Sequence, residues 1–120
     1  MLQLFDTDAS LFKSWHVARY EQAGDAYLLQ ISARLQDDSR LELSDYLFAD
    51  GNRTYAYQWM EADGTLRQRW DNAPHWPNIA TTPHHTHLPG QITPEPSVVT
   101  NLEDLLRFIQ DWFAHHATTH

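Results

Sequence analysis

The chain predicts an α+β fold: an antiparallel β-sheet of about five strands in a meander, packed by one C-terminal amphipathic helix. Three observations predict it. Apolar and polar residues alternate with period two over residues 25–36 and 53–61, the pattern of strands that cover a core with one face. Asp50-Gly51 and Asp63-Gly64 stand between such runs. Asp-Gly is a hairpin signal because glycine accepts the left-handed backbone that tight turns need. Leu102, Leu105, Leu106, Ile109, Trp112 and Phe113 follow the i, i+3, i+4, i+7 spacing of a helix with one apolar stripe.

The elements follow in order. Residues 14–20 read as a short strand, ended by Glu21-Gln22-Ala23-Gly24-Asp25. In the next strand Tyr27, Leu29, Ile31, Ala33 and Leu35 share one face, and Asp37-Asp38-Ser39 turns the chain. Leu41, Leu43 and residues 45–48 give a third strand with less regular alternation. Tyr55, Tyr57 and Trp59 share a face of the fourth; in the fifth, Leu66, Gln68 and Trp70 oppose Thr65, Arg67 and Arg69. Beyond Trp70 prolines and histidines take over, and the missing prolyl amide hydrogens argue against a central strand. Val98-Val99 is expected as a short edge strand. Thr100 is expected to cap the helix with Glu103 reaching back. His115 and His116 fall in its last turn, where positive charge suits the helix dipole, and residues 117–120 are expected to fray. Residues 1–120 read as one domain, without repeats.

Composition narrows the chemistry. There is no cysteine, which excludes disulfides, thiolate zinc sites and a cysteine nucleophile. Asp6, Asp8, Lys13 and Arg19 interrupt the first twenty residues, so a signal peptide is not expected. No run reaches the length of a membrane span, and a cytoplasmic protein is the expectation. Lys plus Arg is 8 against 16 Asp plus Glu, a formal net charge of −8. That disfavours broad nucleic-acid binding while leaving room for a local basic patch. Glycine-rich phosphate loops, GxSxG and HExxH are all absent from the sequence.

Four of the eight histidines, His75, His84, His85 and His87, fall in one proline-rich stretch. Imidazole exchanges protons near neutral pH and is the commonest neutral metal ligand. If His85-Thr86-His87 is extended, His85 and His87 point to one face and His84 to the other. His75 would supply a third ring, so His75, His85 and His87 are the candidate metal set. Asp71 is a turn former or the carboxylate that orients His75 or His85. Arg53, Arg67 and Arg69 could fork onto phosphate, and Tyr55, Tyr57 and Trp59 could stack bases. The plain alternatives are a surface loop, a core aromatic stripe and charges that guard strand edges.

Residues 69–77, Arg-Trp-Asp-Asn-Ala-Pro-His-Trp-Pro, followed by Pro83-His84-His85-Thr86-His87, resemble the signature of the TumE family, the toxin half of toxin–antitoxin pairs. The hairpin around Tyr55, Tyr57 and Asp63-Gly64 and the helix over residues 102–113 resemble that family too. Family members often carry histidine where this chain has Trp76 and a basic residue where it has Thr86. The resemblance implies a growth-inhibiting toxin neutralised by a cognate helix-turn-helix antitoxin, with self-association left open.

Joined to that resemblance, the residues suggest a toxin that acts on RNA without a required cofactor. His85 would be the general base, His75 or His87 the acid, Asp71 the orienter, and Arg69 or Arg67 the phosphate ligand, with Arg53 and Tyr55 as further substrate contacts. The competing readings are an enzyme holding a divalent metal through His75, His85 and His87, and a non-catalytic interaction module built around Trp76 and Ile79.

Overall fold

The computed structural model describes residues 9–116. After a 3₁₀ turn at Ala9–Leu11 come seven strands: β1 (Phe12–Ala23), β2 (Ala26–Leu35), β3 (Arg40–Leu47), β4 (Arg53–Met60), β5 (Leu66–Asp71), β6 (His85–His87) and β7 (Glu95–Pro96). The helix α1 (Leu102–His116) follows. All seven strands form one sheet in sequence order, each antiparallel to its neighbour. The predicted meander and closing helix are present, with two more strands than the pattern suggested. No helix of the described residues is long and apolar enough to cross a membrane. Asp6, Asp8 and the tail expected to fray lie outside the described residues.

The alternation decides which face is covered. Leu29, Ile31, Ala33, Leu35, Leu41, Leu43, Tyr55, Tyr57, Trp59 and Trp70 form the core with Leu102, Leu105, Leu106 and Ile109 of α1. Trp59 meets Trp112 edge-on, and Trp70 meets Phe108 edge-on. The two Asp-Gly turns are built alike. Phe48 N–H donates to the Asn52 carbonyl and Glu61 N–H to the Thr65 carbonyl, while the Asp50 and Asp63 carboxylates accept from the amides of Asn52 and Thr65. Gly51 and Gly64 take φ of 88° and 91°, the left-handed position that closes such loops.

Three expectations are corrected. The histidine segment does enter the sheet, and His85–His87 pairs on both sides, with β5 and with β7. It can do so because those three residues carry no proline; Pro96 instead sits in the edge strand β7, where a missing donor costs nothing. Val98-Val99 is not a strand; Val99 is buried under the sheet's covered face. The helix cap is shifted by one residue. Asn101 Oδ1 accepts from the Asp104 amide at 2.8 Å, and Asp104, not Glu103, reaches back to the Thr100 amide.

A bulge re-aims one arginine. Between Trp59 and Met60 the β4–β5 register slips, so Arg67 has no direct partner on β4. An extra residue in one strand disrupts the period-two alternation. Arg67 therefore lies on the covered face, its guanidinium 4.7 Å from the Trp59 ring centre and 5.0 Å from that of Trp112.

Candidate functional site on the open face

The face opposite α1 stays uncovered over the first four strands. Small residues at its centre leave a shallow trough of about 330 Å³, lined among others by Gln30, Ser32, Glu42, Ser44, Gln58 and Arg69. A second depression beside it is lined by His16, Arg34 and Arg40. Arg34, Arg40 and Arg69, three of the chain's eight Lys and Arg, thus share this face in an acidic protein.

At one end the register assembles a polar corner. Asp71 pairs with His85 and Arg69 with His87 across β5 and β6, so all four side chains project from the same face. Asp71, 5% exposed, is the hub. Its Oδ1 accepts from the Ala73 amide at 3.0 Å and lies 2.8 Å from His85 Nε2. Its Oδ2 accepts from Arg69 Nε at 3.0 Å and lies 3.6 Å from His87 Nε2. The turn role and the orienting position expected of Asp71 therefore coexist. The His85 and His87 rings meet edge-on at 4.8 Å. Arg69 also donates to the Gln58 side chain at 2.9 Å, which fixes the guanidinium between trough and corner.

The two histidines differ in access. His85 is 2% exposed. Its Nδ1 lies 3.0 Å from the Pro83 carbonyl, so both ring nitrogens face oxygens. The His87 side chain is 30% exposed. Burial, with His85 and Arg69 adding to it against the pull of Asp71, holds the His87 imidazole below its usual range.

The other expected site residues lie elsewhere. His75 is exposed in the loop and is not part of the cluster that Asp71, His85 and His87 form. Arg67 is on the covered face, held by Glu61 and Asp37. Tyr55 is 1% exposed in the core, stacked on Tyr57, with His84 Nδ1 2.7 Å from its hydroxyl. Arg53 grips the buried Asp45 with Nε and one terminal nitrogen at 2.9 and 2.7 Å and donates to the Thr100 carbonyl at 2.6 Å. Tyr57 and Tyr27 hydroxyls complete that carboxylate's shell at 2.5 and 3.2 Å. Arg53 and Tyr55 stand at inward positions of β4, on the face that the helix covers. Thr86 also points to the covered side, bonded to Gln68 and the Arg69 carbonyl, so its departure from a basic residue does not touch the corner. Trp76 and Ile79 are both only half-exposed and offer no broad apolar face.

Sequence reasoning missed Asp45, Arg34 and Arg40. Asp45 stands two residues past Leu43 in the inward series, and that phase alone placed a carboxylate in the core, where it must find partners.

No curated protein and no solved structure matches the chain. The family model described as toxin TumE matches residues 1–113 of the 120, and the chain belongs to that family of toxins.

Proposed function

We propose that this toxin acts on RNA at the corner made by Arg69, Asp71 and His87. As a TumE-family toxin it is the toxin component of a toxin–antitoxin system; the RNA target, the use of this corner and a helix-turn-helix type for its antitoxin are our reading. The observation that carries it is the convergence of a guanidinium and a solvent-reaching imidazole on one buried carboxylate, at the end of a face bearing Arg34 and Arg40. A polyanion laid along that face meets cations despite the net charge of −8, and attraction is set by the local patch rather than the sum. Arg69 is placed to neutralise a phosphate. Acid–base cleavage needs a base within hydrogen-bond reach of the 2′-hydroxyl. His85 has no nitrogen free for that role, so the base is His87 itself or a hydroxide bound beside it.

Growth arrest on induction of the native gene, relieved by His87→Ala and by Arg69→Ala at equal protein level, is the expected result. Purified protein should cleave or bind bulk RNA, and each variant should lose at least about ten-fold of that activity. RNA left intact and unbound at concentrations that arrest growth would overturn the RNA target. Arrest undiminished in both variants would overturn the corner.

A further inference from the structure

We infer that Asp71, His85 and His87 form a site for a zinc-class divalent cation. The inference rests on the reading of this corner as the working site only for what the ion does there; binding itself follows from the donors. One ligand atom from each residue lies within 4.8 Å of the other two. That differs from the histidine triplet expected from the sequence: a carboxylate replaces His75.

The hydrogen-bond pattern at His85 is the second observation. The Pro83 carbonyl only accepts, so the Nδ1 facing it at 3.0 Å carries a hydrogen. A neutral ring then has its lone pair on Nε2, which lies 2.8 Å from Asp71 Oδ1. Two electron-rich atoms then lie close together where the histidine is 2% exposed and water does not screen them. A cation shared by both, a proton or a metal ion, relieves that contact. A backbone carbonyl on the far nitrogen is the usual support of a metal-bound histidine, because it fixes tautomer and ring orientation.

Donor type and the nearby third ligand favour the metal. Ligands on a tetrahedral zinc ion with bonds of about 2.0–2.1 Å are about 3.3 Å apart. His85 Nε2 lies 2.8 Å from Asp71 Oδ1 and His87 Nε2 lies 3.6 Å from Oδ2, so side-chain rotations that bring both rings and one carboxylate oxygen onto a single ion complete the set. Two imidazoles and one carboxylate suit zinc, nickel or cobalt rather than magnesium or calcium, which prefer all-oxygen shells. Asp71 and His85 are direct partners across the β5–β6 ladder, so backbone hydrogen bonds hold the ligands. Ala73 and Arg69 donate to the carboxylate oxygens. The half-exposed His87 side leaves a coordination position toward the trough, as in sites with three protein ligands and one water. When bound, such an ion polarises phosphoryl oxygen or lowers the pKa of water.

The test uses the full chain purified without an affinity tag, equilibrated with zinc alone and dialysed, with metal counted per chain. Native protein and His75→Ala should each retain one zinc. His87→Ala, which removes a half-exposed side chain and should leave the fold intact, should weaken binding by more than the roughly 10–100-fold that loss of a supporting partner costs. Asp71→Asn should do the same. Native protein that keeps no stoichiometric zinc, or His87→Ala that keeps as much as native, would overturn the inference in favour of a shared proton. Zinc is measured without RNA, so loss of the RNA reading leaves this result standing, and RNA cleavage by zinc-incompetent native protein removes only the ion.

Discussion

Two buried aspartates, one on each face of the sheet, make the instructive contrast. Asp45 and Asp71 are 2% and 5% exposed, and each is paired with an arginine. On the covered face, Asp45 is closed by Arg53, Tyr57 and Tyr27. Burial and Asp45 together push the Tyr57 hydroxyl far above its usual range, and the carboxylate keeps Arg53 charged although burial opposes that charge. The phenols and the guanidinium around it keep their protons. On the open face two of the groups around Asp71 are histidines, one of which reaches solvent. A buried acid closed in by fixed donors fastens a helix; a buried acid beside imidazoles on the open face is a candidate site.

The largest expected effect separates the two. Asp45→Ala strands Arg53 and loosens its hold on Thr100 ahead of α1. It should cost about 3–5 kcal/mol in denaturant unfolding, and toxicity should fall only as folded protein falls. Asp71→Asn should cost clearly less, because the amide oxygen still accepts from one of the two donors, Ala73 or Arg69, yet it should abolish arrest. Equal stability losses would erase the contrast between the faces.

Arg67 gives a middle-sized effect. It lies over two tryptophans while bound to Asp37 and Glu61, so Arg67→Ala should cost about 1–2 kcal/mol. The same ion pairs set a pH dependence. For Asp37, burial works against ionisation, but Ser39 and Arg67 outweigh it and its pKa lies below the ordinary 3.8. Arg67 holds Glu61 below its ordinary 4.5. Both depressed groups add stability that is fully present above those ordinary values and is lost as pH falls through the lowered ones. Thermal melts from pH 6 to 3 should therefore show a drop that is shallower in Arg67→Ala; parallel curves would mean the pairs are screened out.

The smallest expected effect is at His75. It is exposed and outside the corner, so His75→Ala should change stability by less than about 0.5 kcal/mol and leave arrest intact. Lost arrest with unchanged stability would bring the loop into the site.

Much of this was legible. The phase of Tyr27 to Leu35 and of Tyr55 to Trp59 placed the covered face, and the leucine spacing of α1 supplied what covers it. The parity of His85 and His87 was readable too, as was Asp71 as a neighbour of His85. The rest depended on information that period two does not carry. A bulge displaced Arg67 from the face it would share with Arg69. The distance that loop residues 73–84 carry His75 is set by turn geometry, and turn residues alone do not specify it. Arg34 and Arg40 join Arg69 only because three hairpins bring distant strands into one sheet. Arg34 and Arg40 face each other across one hairpin, but Arg69 lies far from both in the chain, so no local motif could announce the set.

The meander has a consequence for how the molecule is made. Every strand pairs with its neighbour in the chain, so the sheet can grow hairpin by hairpin as the polypeptide leaves the ribosome. The helix that seals Tyr55, Tyr57, Trp59 and Trp70 follows all seven strands. A chain interrupted before Leu102 would display that aromatic surface bare, ready to aggregate or be degraded. The last element of the described fold to be synthesised is thus the one that closes its core.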